Sequence, residues 1–78
     1  PNPFNPSTTI SFSLPQAGQV KISVYDMLGR EVATLVNDYL ESGIHITLFD
    51  GKNLSSGVYV YRIESGSFVK AKQMILLK

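Results

Sequence analysis

The sequence predicts an all-β fold, a small antiparallel β-sandwich of about six to seven strands. Three observations point there. Apolar and polar residues alternate in short runs, the runs recur about every eleven residues with turn-forming residues between them, and no stretch carries the 3.6-residue period of an amphipathic helix.

The chain opens on Pro1-Asn2-Pro3-Phe4-Asn5-Pro6. Each proline fixes its own φ and drives the residue before it toward extended conformations, so a stiff, extended lead-in is expected. The first strand begins where Ile10, Phe12 and Leu14 alternate with Ser11 and Ser13. Pro15-Gln16-Ala17-Gly18 reads as a turn. Residues 19–26 form the second strand, with Val20, Ile22 and Val24 on one face and Lys21 and Ser23 on the other. Asp26-Met27-Leu28-Gly29-Arg30 is a short hairpin connection, in which the aspartate bonds nearby backbone and the glycine takes the strained position.

The third strand, residues 31–36, breaks strict alternation. Val32, Ala33, Leu35 and Val36 put apolar groups on both faces, so a bulge or two-sided burial is expected and the register stays open. Residues 37–42 are the most polar stretch and read as a loop. The fourth strand spans residues 43–49, the fifth 58–64 and the sixth 67–77, with Ser65-Gly66 turning tightly between the last two. The connections at 37–42 and 50–57 read as crossings between sheets, which favours a sandwich over a small barrel. Leu54-x-x-Gly57-x-Tyr59 is a structural corner: in immunoglobulin-like sandwiches such a tyrosine sends its hydroxyl back to upstream backbone while its ring fills the core. Tyr59, Tyr61 and Ile63 are then expected to point inward.

Seventy-eight residues allow one domain with a modest core. Without cysteine there is no disulfide, thiolate nucleophile or cysteine metal site, and the single histidine argues against a protein-only zinc site. The net charge of +1 is too small for a dedicated nucleic-acid binder. No run approaches the ~20 apolar residues of a membrane helix, so no membrane insertion is expected. Charge is unevenly placed: after Glu64 no acid appears, while Lys70, Lys72 and Lys78 do. Lysines on a solvated edge strand are one reading of that asymmetry.

No constellation suggests chemistry, so no catalytic, cofactor-binding or metal residues are assigned, and the chain is read as no enzyme. His45 has no nucleophile paired with it in sequence, and no serine sits in a Gly-x-Ser-x-Gly elbow. Asp26, Asp38 and Asp50 carry hard oxygen ligands, but no calcium-loop pattern links them. Tyr25 and Tyr39, near turns, are the candidates for stacking on a sugar ring, with the absence of tryptophan against it. Asn53-Leu54-Ser55 fits the glycosylation pattern, one short enough to arise by chance.

Three segments resemble the C-terminal sorting domains of type IX secretion cargo, specifically type A. They are Asn2-Pro3-Phe4-Asn5-Pro6-Ser7-Thr8-Thr9-Ile10, the hairpin Val24-Tyr25-Asp26-x-x-Gly29-Arg30-Glu31-Val32, and Gly57-Val58-Tyr59-Val60-Tyr61-Arg62-Ile63 followed by a strand closing on Lys72-Gln73-Met74-Ile75-Leu76-Leu77-Lys78. Gly43-x-His45 and Phe49-Asp50-Gly51 also look like this family and the related immunoglobulin-like domain of the flagellar hook-capping protein. Phe49 stands where tryptophan is common.

The resemblance implies one C-terminal sorting domain, residues 1–78, excised from a longer secreted protein. It implies a non-catalytic signal that folds in the periplasm, is recognised by the outer-membrane translocon and shuttle proteins, and is removed by a sortase-like peptidase as cargo reaches the cell surface or exterior. Recognition is expected at Lys70, Lys72, Gln73, Met74, Ile75, Leu76, Leu77 and Lys78, with the final strand's backbone pairing to a partner edge. Removal of the last six residues is expected to spare most of the fold if that strand lies at an edge. Weak dimerisation by strand addition to the same strand stays open. The rival readings are a structural spacer and a carbohydrate-binding accessory module of a secreted glycoside hydrolase.

Overall fold

Alternating runs become strands when their apolar face meets a second sheet, and six such runs do so here. The structure, a computed structural model, describes residues 6–78. The strands are β1 (Ser7–Leu14), β2 (Gly18–Tyr25), β3 (Glu31–Leu40), β4 (Gly43–Asp50), β5 (Gly57–Ser65) and β6 (Phe68–Leu76). β1 and β4 form a two-stranded sheet, and a four-stranded sheet has the order β3-β2-β5-β6. Every pairing is antiparallel. The expected all-β sandwich is therefore present. Of the expected proline-stiffened lead-in, residues 1–5 lie outside the described residues, while Ser7, Thr8 and Thr9 already belong to β1, which starts three residues earlier than expected because they pair with Asp50, Phe49 and Leu48.

The chain changes sheet three times. Both expected crossings occur, from β3 to β4 and from β4 to β5. The third is Pro15-Gln16-Ala17, which arches from one sheet to the other rather than returning the chain beside β1. β1 finds its partner instead in β4, in an unbroken register from Ser7 opposite Asp50 to Leu14 opposite Gly43.

The β2–β3 hairpin forms as the sequence suggests. Asp26 Oδ1 accepts from the amides of Leu28 and Arg30, both at 2.9 Å, and its Oδ2 accepts from Arg30 Nε at 2.8 Å. Gly29 adopts φ 82°, a conformation that costs a side-chain-bearing residue but not glycine. The Arg30 amide, aided by the Arg30 side chain and the Leu28 amide, holds the Asp26 carboxyl below the ordinary aspartate range. Because the folded-state value is depressed, this contribution to stability is present above the unfolded pKa and is lost as pH falls through the folded one. A carboxyl-carbon NMR titration should find Asp26 deprotonating below an ordinary aspartate, and an unshifted midpoint would contradict the turn geometry.

β3 corrects the sequence reading in length and explains its broken alternation. It runs through residues 37–40, read as loop, because these pair with Gly18–Lys21 of β2 (Gly18 opposite Leu40, Lys21 opposite Asn37). Asn37, Asp38 and Tyr39 are exposed there. The register slips twice: Ile22 faces Val36 while Ser23 faces Thr34, and Val24 faces Ala33 while Tyr25 faces Glu31. Leu35 and Val32 are the extra residues. Each bulge shifts the side-chain phase by one, so Val36 and Ala33 both share the inward face of β2 despite their odd spacing.

The core lies between the sheets. Ile10, Phe12 and Leu14 of β1 and Phe49 of β4 meet Val20, Ile22, Val24, Tyr59, Ile63 and Leu76. The corner at the start of β5 forms: the Tyr59 hydroxyl donates to the Ser55 carbonyl at 2.7 Å, Leu54 packs half-buried against the core, and Gly57 opens the strand opposite Leu76. Tyr59→Phe keeps the ring and strands that carbonyl, so it should cost about 1 kcal/mol in urea unfolding. An unchanged midpoint would remove the corner from the account. Gly51 marks a close approach: its amide donates to the Pro6 carbonyl at 3.2 Å, and a Cβ there would sit 2.8 Å from a Leu76 methyl.

Candidate functional site

The closing hairpin builds an exposed edge. Ser65 pairs with Phe68 across a two-residue turn, Gly66-Ser67, and β6 then runs beside β5 along its whole length, with no described strand on its other side. Pairing fixes which way each side chain points. Lys70 lies opposite Ile63 and Lys72 opposite Tyr61, so both lysines share the sheet face that buries the core. They remain exposed, because the two-stranded sheet is narrower than the four-stranded one beneath it. Inward-facing lysines on an edge strand discourage pairing with a like-charged strand.

The lysines are also unneutralised. Among the described residues the ion pairs are Lys21 with Glu31 at 3.7 Å, Arg30 with Asp26 at 2.8 Å and Arg62 with Glu64 at 2.9 Å, and none involves β6. Beside the lysines runs a groove of about 400 Å³ between β1 (Thr8, Thr9, Ser11) and β6 (Lys72, Gln73, Ile75), with Tyr61 at its floor. A smaller apolar recess of about 280 Å³ continues it toward Phe49, Tyr59 and Leu77. The chain end is pinned nearby: the Lys78 amide donates to Ser56 Oγ at 3.1 Å and Lys78 Nζ donates to the Lys52 carbonyl at 2.6 Å.

Of the residues expected to meet a partner, Lys70, Lys72, Gln73, Ile75, Leu77 and Lys78 are exposed, Met74 is half-buried and Leu76 belongs to the core. Exposed and core residues are thus mixed in one stretch. Deleting the last six residues removes Leu76 and the pairing partners of Gly57, Val58, Tyr59 and Val60, so that truncation destabilises the fold instead of sparing most of it. Point substitutions at the exposed Lys70 and Lys72 leave the core untouched.

The other sequence candidates take structural places. His45 stacks on Phe12 with ring centroids 5.5 Å apart, and its Nε2 donates to the Glu41 carbonyl at 2.7 Å. Asp50 Oδ1 accepts from the Lys52 amide and Asp38 Oδ1 from the Tyr39 amide, so with Asp26 the three carboxylates serve separate stretches of backbone. Tyr39 lies opposite Gln19, whereas Tyr25 is at the far end of β2. Six residues at ~3.3 Å each put the two tyrosines about 20 Å apart, too far for a paired sugar platform. The sequence reading missed the outward row Ile44, Ile46 and Leu48. The signal was the same alternation that placed His45, Thr47 and Phe49 together.

Fold, corner and exposed basic edge define a small β-sandwich module with an open strand edge at β6. Within that class the chain belongs to the family described as secretion system C-terminal sorting domain, whose model it matches over residues 1–77. That family consists of sorting signals for type IX secretion, which take cargo to the cell surface or exterior, rather than of catalysts. No curated protein and no solved structure matches the chain.

Proposed function

We propose that the chain is the export label of a longer secreted protein, read through β6 by the outer-membrane translocon and its shuttle proteins. It folds in the periplasm before recognition, and a sortase-like peptidase releases it once the cargo has crossed. The observation that carries this reading is the position of β6: the closing strand is an edge, and its Lys70 and Lys72 have no carboxylate partner among the described residues. A partner strand adds to that edge through backbone bonds, and acidic side chains on the partner answer the lysines. Because the lysines repel a like-charged edge and attract an acidic one, the same residues supply rejection and selection.

Binding of the immobilised chain to purified outer-membrane type IX proteins tests this. Exposed ion pairs are screened by salt, so binding should weaken strongly between ~0.05 and ~0.5 M salt. Absent or salt-indifferent binding contradicts the reading, and absence is what a structural spacer predicts.

A further inference from the structure

Four strand edges are open among the described residues, and three of them are guarded or faced. β3 carries two bulges together with Glu31 and Asp38, β6 carries Lys70 and Lys72, and β1 looks across the groove toward β6. β4 carries neither a bulge nor a charge along its middle. Between Gly43 and Phe49 it contains no Asp, Glu, Lys, Arg or Pro, and its register with β1 is unbroken. Its outward side chains are apolar and bare: Ile44 is 78% exposed, Ile46 69% and Leu48 59%. A regular, uncharged edge with an apolar face is the kind that accepts another strand.

We propose that the occupant is the β4 strand of a second copy of this chain, antiparallel about a two-fold axis through Ile46. The strand is self-complementary in that register. Ile46 meets Ile46, Ile44 meets Leu48 and His45 meets Thr47, so six aliphatic side chains form cross-strand pairs with Cβ atoms about 5 Å apart and no charge is brought against its like. The two ribbons become one four-stranded sheet of order β1-β4-β4-β1. Thr9, Ser11 and Ser13, opposite Leu48, Ile46 and Ile44 on β1, supply a polar rim around the apolar centre. The net charge of +1 opposes association only weakly. One strand pair is smaller than the roughly 1,200 Å² of a stable interface, so the dimer is weak and concentration-dependent. This assigns self-association to β4 instead of the lysine-bearing β6, and it is independent of the proposed export role.

Sedimentation velocity on the 78-residue chain up to ~1 mM, with amide hydrogen exchange at both ends of that range, tests the pairing. The expected result is a dimer that grows with concentration, added protection confined to β4 amides, and at least tenfold weaker association for Ile46→Lys. That variant keeps the wild-type melting profile, since position 46 faces solvent in the monomer. A monomer throughout, a dimer unaffected by Ile46→Lys, or added protection on β6 in place of β4 would each overturn the proposal.

Discussion

Replacing Ile22 with alanine should leave the domain largely unfolded at 37 °C. Ile22 is 0% exposed and sits mid-sheet, facing Val36 on β3 and Ile63 on β5. Truncating a buried isoleucine costs about 2–5 kcal/mol, the lost transfer energy plus the cavity left behind. A single core of this size rarely supplies more than about 3–5 kcal/mol, and the chain has no disulfide to add to it. The loss therefore matches the whole stability. Ile44→Ala is the control: it removes a similar side chain from the outer face of β4 and should change stability by no more than about 0.5 kcal/mol. Circular dichroism melts of both variants check this, and a cooperative, native-like melt for Ile22→Ala would mean that the core is not where the sheets place it.

Reversing the edge charge, with Lys70→Glu and Lys72→Glu together, should cut export of a fused reporter by roughly tenfold or more while the melt stays close to wild type. Both side chains are exposed and neither is in an ion pair, so the fold loses little. Recognition loses much. Like charges set against each other at an interface cost several kcal/mol, and about 1.4 kcal/mol is already a factor of ten. Lys70→Arg with Lys72→Arg keeps the charge and should keep export. Equal export from the reversed and the conserved pairs would move recognition away from β6.

Much of this architecture was legible in the sequence because alternation reports burial. β2, β4, β5 and β6 follow from it within a residue or two, and the Asp26 hairpin and the Tyr59 corner follow from local chemistry that needs no distant partner. What alternation cannot report is pairing without burial. The outer half of β3 is held by backbone bonds to β2 while its Asn37, Asp38 and Tyr39 side chains stay in water, so it reads as loop. The two bulges hide the phase of β3, since Val36 and Ala33 reach one face only after a residue is skipped. The partnership of β1 with β4 rests on contacts far apart in the chain. At the closing strand, the basic composition was visible, but not that Leu76 is core while Lys70 and Lys72 on the same face lie beyond the cover of the second sheet.

Export of a fluorescent reporter carrying residues 1–78 at its C-terminus, compared between a host with a working type IX apparatus and the same host lacking it, tests the central claim most directly. The account predicts reporter at the cell surface or in the medium only when the apparatus is present. Retention inside both hosts, or release from both, would contradict it.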